Sequence, residues 1–103
     1  GELPYAPVVT IGWDPSPRWA PDCPWPPPNL GYPYSTVVVH NTPEQFGELC
    51  RRAKQHCATA RLRPPAIVVN AWNEWTEGSA LLPDRTDKTR FLDELRRALA
   101  KGP

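Results

Sequence analysis

The chain has 103 residues and a formal net charge of +1, with 12 Lys and Arg against 11 Asp and Glu. Acids and bases are mixed along it. No basic stripe or charge block marks a nucleic-acid or anionic-membrane partner. No apolar run approaches the roughly 20 residues that a membrane span needs.

Residues 7–13, Pro-Val-Val-Thr-Ile-Gly-Trp, predict a first strand. Alternate side chains of a strand share a face. Val9 and Ile11 therefore fall on one side, and Thr10, Gly12 and Asp14 on the other. The polar side is expected to face a cleft. Asp14 ends the strand, where it can bind ligand hydroxyls or pair with Arg18 in a loop salt bridge of small value. Residues 14–35 follow as a long irregular stretch, in which eight of the fifteen prolines lie between positions 15 and 33. Proline excludes helix over most of it and favours extended or turn conformations. Loops of this length in a compact domain are usually functional or disordered. Trp19, Trp25, Tyr32 and Tyr34 argue for packed structure: either a rim that walls a cleft or aromatics resting on the prolines.

Thr36–His40 reads as extended, with His40 satisfied locally or reaching the cleft. Thr42-Pro43-Glu44-Gln45 then opens a helix: Thr42 at the N-cap, Pro43 in the first turn and Gln45 closing a capping box. Phe46, Leu49, Cys50, Ala53 and Cys57 recur at helical spacing and give one apolar face to about residue 59. Arg51, Arg52 and Lys54 form the solvated face. Cys50 and Cys57 are about 10 Å apart along such a helix, too far for a disulfide, and read as small core residues. Cys23 lies in the loop and is left unassigned. No metal site or cofactor is indicated, because no His/Cys cluster has ligand spacing.

Pro65-Ala66-Ile67-Val68-Val69 predicts a second strand. Parity puts Ile67, Val69 and Ala71 on the helix side, and Asn70, Trp72 and Glu74 toward a polar cleft, since a buried unpaired amide is costly. If the chain then turns helically, with Gly78 just beyond, Glu74 and Glu77 share one side with Cβ atoms about 5–6 Å apart. Leu81–Asp84 makes a loop. A last helix is predicted from about Asp87 to Lys101, with Phe91, Leu92, Leu95, Ala98 and Leu99 as its apolar stripe and Lys101 and Gly102 at its end. The order of strand, loop, helix, strand, motif and helix is α/β with parallel strands.

The motif Asn70-Ala71-Trp72-Asn73-Glu74-Trp75-Thr76-Glu77-Gly78 is where the chain is expected to keep its chemistry. It sits at the C-terminal end of a strand, where parallel α/β sheets build their sites. Two clustered carboxylates flanked by tryptophans suit work on a glycosidic bond. One carboxyl protonates the leaving oxygen, the other acts as base or nucleophile, and the aromatics offer a flat apolar face to a sugar. The plainer alternative is a pair of solvated carboxylates beside a turn.

Ala71–Gly78, followed by Leu81-Leu82-Pro83-Asp84, resembles the C-terminal signature of glycoside hydrolase family 99-like, WbsX-type proteins. Gly12-Trp13-Asp14 with Arg18, Asn41-Thr42-Pro43-Glu44 and Phe91-Leu92-Asp93-Glu94-Leu95 fit the same pattern. The resemblance implies the C-terminal portion of a (β/α)8 TIM barrel acting on α-mannosides or related glycans, with residues 1–103 as one part of a single barrel domain. It implies Glu74 and Glu77 as the catalytic pair of a retaining reaction through an anhydrosugar. Glu74 would be the base for the 2-hydroxyl and Glu77 the acid/base at the leaving oxygen. Trp13, Asp14, Arg18, Asn70, Trp72, Asn73 and Trp75 become the candidate substrate-binding residues. Thr76 stands where the hydrolases tend to carry His, as in the WbsX-type branch. The implied partner is an oligosaccharide or polysaccharide. Two alternatives are a glycosyltransferase of surface-polysaccharide synthesis and a non-catalytic glycan-binding module. Since such a barrel takes about 250 residues, the chain is expected to be the C-terminal part of a larger protein.

Overall fold

The computed structural model describes residues 3–100. Four principal elements appear: β1 (Val8–Thr10), α1 (Pro43–Thr59), β2 (Val68–Asn70) and α2 (Arg90–Leu99). β1 and β2 pair in parallel, Val8 opposite Val68, Val9 opposite Val69 and Thr10 opposite Asn70. α1 lies in the connection between them, so the unit is βαβ followed by a second helix.

Both strands are shorter than the sequence predicts. Each has a single partner, and the ladder lasts only as long as that partner runs alongside. Beyond it, the Ile11 amide still donates to the Asn70 carbonyl at 3.1 Å, after which the two chains part. Thr36–His40 forms no strand; Val38 only bridges back to Trp13.

The alternation of burial follows the predicted parity. Val9 is fully buried and Ile11 nearly so, while Val8 is 63% exposed and Val68 51%. Ile67 and Val69 pack with Val9 and Ile11 under the helices. Among the described residues, no element packs over the two valines of the other sheet face.

α1 begins as its sequence dictates. The Thr42 side chain accepts from the Gln45 amide at 3.1 Å, and the Thr42 amide donates to the Gln45 side chain at 3.0 Å. That satisfies two of the amides a helix start leaves free. Phe46, Cys50, Ala53 and Cys57 turn inward, but Leu49 remains 37% exposed at the edge of that face. The buried arc is narrower than the apolar spacing implies, because only α2 and one sheet face cover it. α2 meets α1 through Phe46 and Phe91, whose ring centroids are 5.6 Å apart. Leu92 and Leu95 pack beside them, whereas Leu99 is 45% exposed beyond the end of the contact.

α2 starts at Arg90, three residues later than predicted. The Lys88 amide donates to the Asp84 carbonyl at 3.1 Å, and Lys88 takes φ 57°, so residues 84–88 are committed to a turn. The predicted end at Lys101 and Gly102 lies outside the described residues. The chain forms a slab 51 × 39 × 18 Å with a radius of gyration of 16.0 Å. A closed domain of 100 residues has about 13 Å.

Candidate functional site

The motif leaves β2 as a closed loop. The Leu81 amide donates to the Ala71 carbonyl at 2.9 Å, and the Leu82 amide to the Trp72 carbonyl at 3.1 Å. Inside that loop Glu74 and Ser79 pair in both directions, at 3.1 and 3.0 Å, around a short 3₁₀ turn of Trp75–Glu77. Gly78 ends the turn at φ 61°, a conformation that favours glycine. It is also closely approached: a Cβ there would lie 3.1 Å from that of Asp14. The Asp14 amide donates to the Glu77 carbonyl at 2.7 Å, tying the end of the first strand segment to the motif.

Arg18 crosses to this turn from a 3₁₀ turn of its own, Ser16–Arg18. Its Nε donates to the Thr76 hydroxyl at 2.7 Å and its Nη2 to Glu74 Oε2 at 3.4 Å. Its Nη1 donates to the Tyr32 hydroxyl and lies 3.9 Å from Glu77 Oε2. A guanidinium presents five donors in a rigid fork, and here one fork spans both carboxylates. The Glu77 side chain is 13% exposed and that of Glu74 42%. Desolvation pulls the Arg18 pKa down, but the Tyr32 hydrogen bond and the nearby Tyr32, Glu77 and Glu74 outweigh it and leave it raised. Arg18 is a cation at every working pH.

The other candidates are placed differently. Asp14 does not pair with Arg18; its Oδ1 accepts from the Ser16 amide at 3.1 Å, because the chain turns tightly after it. Trp13 donates its indole N–H to the Ser35 hydroxyl at 2.9 Å, and its ring lies 6.2 Å from that of Tyr32. Asn70 is drawn into the structure rather than left open to a cleft: its amide donates to the hydroxyls of Thr10 and Ser79, both at 3.0 Å. Ser79 is fully buried and donates in turn to the Gly12 carbonyl. Trp72 projects outward, 56% exposed. Asn73 is exposed, and its carbonyl accepts from the Trp75 amide at 3.0 Å. A depression of about 280 Å³ is lined by Asp14, Trp75, Gly78, His40, Asn41 and Asp84, among others. Neither Glu74 nor Glu77 lines it, so the acid pair and the depression are neighbours across the Asp14–Glu77 contact.

Tyr32, Thr76 and Ser79 complete the site without having been candidates. A tyrosine in a proline-rich loop signals packing in general, not a bond to Arg18. Ser79, a small residue after a glycine, gives no signal. Among the described residues no group of His, Cys, Asp and Glu could hold a metal ion, and no helix is long and apolar enough to cross a membrane.

The α/β unit thus gathers two carboxylates on one arginine, with Trp72 and Trp75 exposed on the same motif. The family model described as "Glycosyltransferase WbsX" matches residues 2–95, and the chain belongs to that family. It is also 32% identical over 98 residues to the "Uncharacterized protein WxcX" of Xanthomonas campestris pv. campestris strain B100, and equally to that of strain ATCC 33913. The match takes in 94% of this chain but only 12% of each relative. No solved structure matches the chain.

Proposed function

We propose that this chain supplies the acid–base part of a site that moves a glycosyl group, within a longer protein whose acceptor is a sugar hydroxyl. The observation that carries the reading is the Arg18 fork, 3.4 Å from Glu74 and 3.9 Å from Glu77. One cation holds both carboxylates in one place, as two groups that act on one bond require. Glu74 is the more open and takes a proton from an incoming or neighbouring hydroxyl. Glu77 is the more enclosed and exchanges a proton with the leaving oxygen. Arg18 fixes both until substrate hydroxyls take over its contacts, and Trp72 and Trp75 offer flat faces to the sugar rings.

The family description favours transfer to a sugar, and the carboxylate pair favours a donor whose leaving oxygen needs a proton. Hydrolysis of α-mannoside-type bonds differs only in the acceptor, water replacing the sugar hydroxyl. The slab shape, the parallel βαβ unit, the uncovered sheet face and the site at the strands' C-terminal ends support a place in a (β/α)8 barrel.

Product analysis of the full-length protein separates these readings. Transfer predicts a longer glycan; hydrolysis predicts new reducing ends. A sugar-nucleotide donor leaves as phosphate and needs little acid help. With that donor Glu77→Gln should be tolerated while Glu74→Gln is not. Loss of activity in neither variant contradicts the acid–base assignment for any donor.

A further inference from the structure

The proline-rich loop carries an aromatic groove that the acid pair does not use. Trp19 is fixed by donating its indole N–H to the Pro33 carbonyl at 2.7 Å. Trp25 stacks on Trp19 at 5.7 Å and 24°, and Tyr34 stacks on it at 6.2 Å and 27°. Trp25 is thus held by its neighbour yet 69% exposed. Beside it runs a groove of about 550 Å³, lined by Trp25, Tyr34, Asn29, Ser35 and Thr36 and walled by prolines. That size falls within the roughly 300–1,000 Å³ usual for small-ligand sites. Among the described residues, neither Asn29 nor Thr36 spends its side chain on a hydrogen bond within the protein.

A flat aromatic with an amide and hydroxyls around it matches a pyranose ring, which has an apolar C–H face and a polar rim. The position decides the occupant. Ser35, at the edge of the groove, accepts from Trp13 at 2.9 Å. The Trp13 ring lies 6.2 Å from that of Tyr32, tilted by 44°; Tyr32 is bonded to Arg18, which spans Glu74 and Glu77. The groove is therefore linked to the acid pair by a relay of neighbouring side chains, Ser35, Trp13, Tyr32 and Arg18. We infer that the groove around Trp25 and Tyr34 is a remote subsite that binds a further sugar of the glycan on which Glu74 and Glu77 act. The inference rests on the glycan reading of that pair. Because proline fixes φ in advance, the loop presents its rings with little ordering left to do on binding.

The test is binding by the full-length protein to a panel of bacterial surface-polysaccharide tetrasaccharides and their component monosaccharides. The best-bound tetrasaccharide and the best-bound monosaccharide are then titrated against Trp25→Ala and Trp25→Phe, with folding checked by circular dichroism. Trp25→Ala should weaken the tetrasaccharide about tenfold, the scale of one lost aromatic contact. It should leave the monosaccharide unchanged, since a single ring sits at the acid pair. Trp25→Phe, which keeps a flat face, should recover most of the loss. Unchanged tetrasaccharide binding in Trp25→Ala overturns the subsite and leaves the acid pair standing. So does an equal loss for both ligands, which would make Trp25 merely structural. A proline-rich peptide that binds the groove more tightly than any glycan overturns it too. A wild type that binds no member of the panel overturns the glycan reading of the acid pair, and the subsite with it.

Discussion

The proposed chemistry of this chain rests on three side chains, Arg18 and the two carboxylates it spans. Removing the guanidinium leaves two like charges on one short turn without their shared partner. Arg18→Ala should therefore lower turnover of the full-length protein strongly and stability little, because ion pairs of a largely solvated arginine add little to stability. Parallel rate and urea-melt measurements decide this, and a stability loss of several kcal/mol with turnover intact would contradict it. Gly78 is the backbone counterpart of Arg18. Its φ of 61° strains any residue with a side chain, and a Cβ there would press on that of Asp14 at 3.1 Å. Gly78→Ala should cost roughly 1–2 kcal/mol, read by the same melt. Cys50 titrates away from the site. Burial pushes its thiol up to about 11. The folded chain binds that proton more tightly than the unfolded chain, whose thiol has an ordinary value near 8.5. This contribution to stability is complete below about pH 8.5 and is lost as pH rises through about 11. Cys50→Ala should flatten the alkaline arm of a stability–pH curve, and an unchanged arm would contradict that.

At the scale of elements, α1 is the part most fully written in the sequence. Its cap uses neighbours three residues apart, and both reciprocal hydrogen bonds form. Thr42→Ala should cost about 1 kcal/mol, measured by chemical denaturation. Phe46→Ala should cost more, about 3–5 kcal/mol, because Phe46 is almost wholly buried against Phe91. Strand faces are equally legible, since alternation needs only the chain itself. Strand lengths are not, because a ladder ends where its partner leaves. Arg18 and Glu74 meet across 56 residues, and no local pattern encodes that meeting. Asn70 shows the same limit. Its polarity points toward an open cleft, but in the structure its amide is taken up by Thr10 and Ser79, and the partner Ser79 becomes visible only when the loop closes. The proposed roles of Glu74 and Glu77 come from resemblance to a family pattern. The structure adds that both meet one arginine.

The whole molecule is a thin slab whose radius of gyration, 16.0 Å, exceeds that of a closed domain its size. One sheet face is packed and the other presents Val8 and Val68. Unpaired strand edges and exposed valines favour association. The isolated chain should therefore self-associate in sedimentation velocity and show little or no turnover; a stable, active monomer would contradict this. The central claim is the division of work between the two glutamates. Its most direct measurement is turnover of a glycosyl fluoride by the full-length protein carrying Glu77→Gln or Glu74→Gln. Fluoride departs with little help from an acid, whereas a sugar leaving group needs a proton. On an ordinary substrate, one whose leaving group is a sugar, each variant should lose about 10²–10⁴-fold in rate. The fluoride should restore much of the rate to Glu77→Gln and little to Glu74→Gln. Equal rescue of the two, or full activity of either on ordinary substrate, would contradict the assignment and return both residues to solvated carboxylates beside a turn.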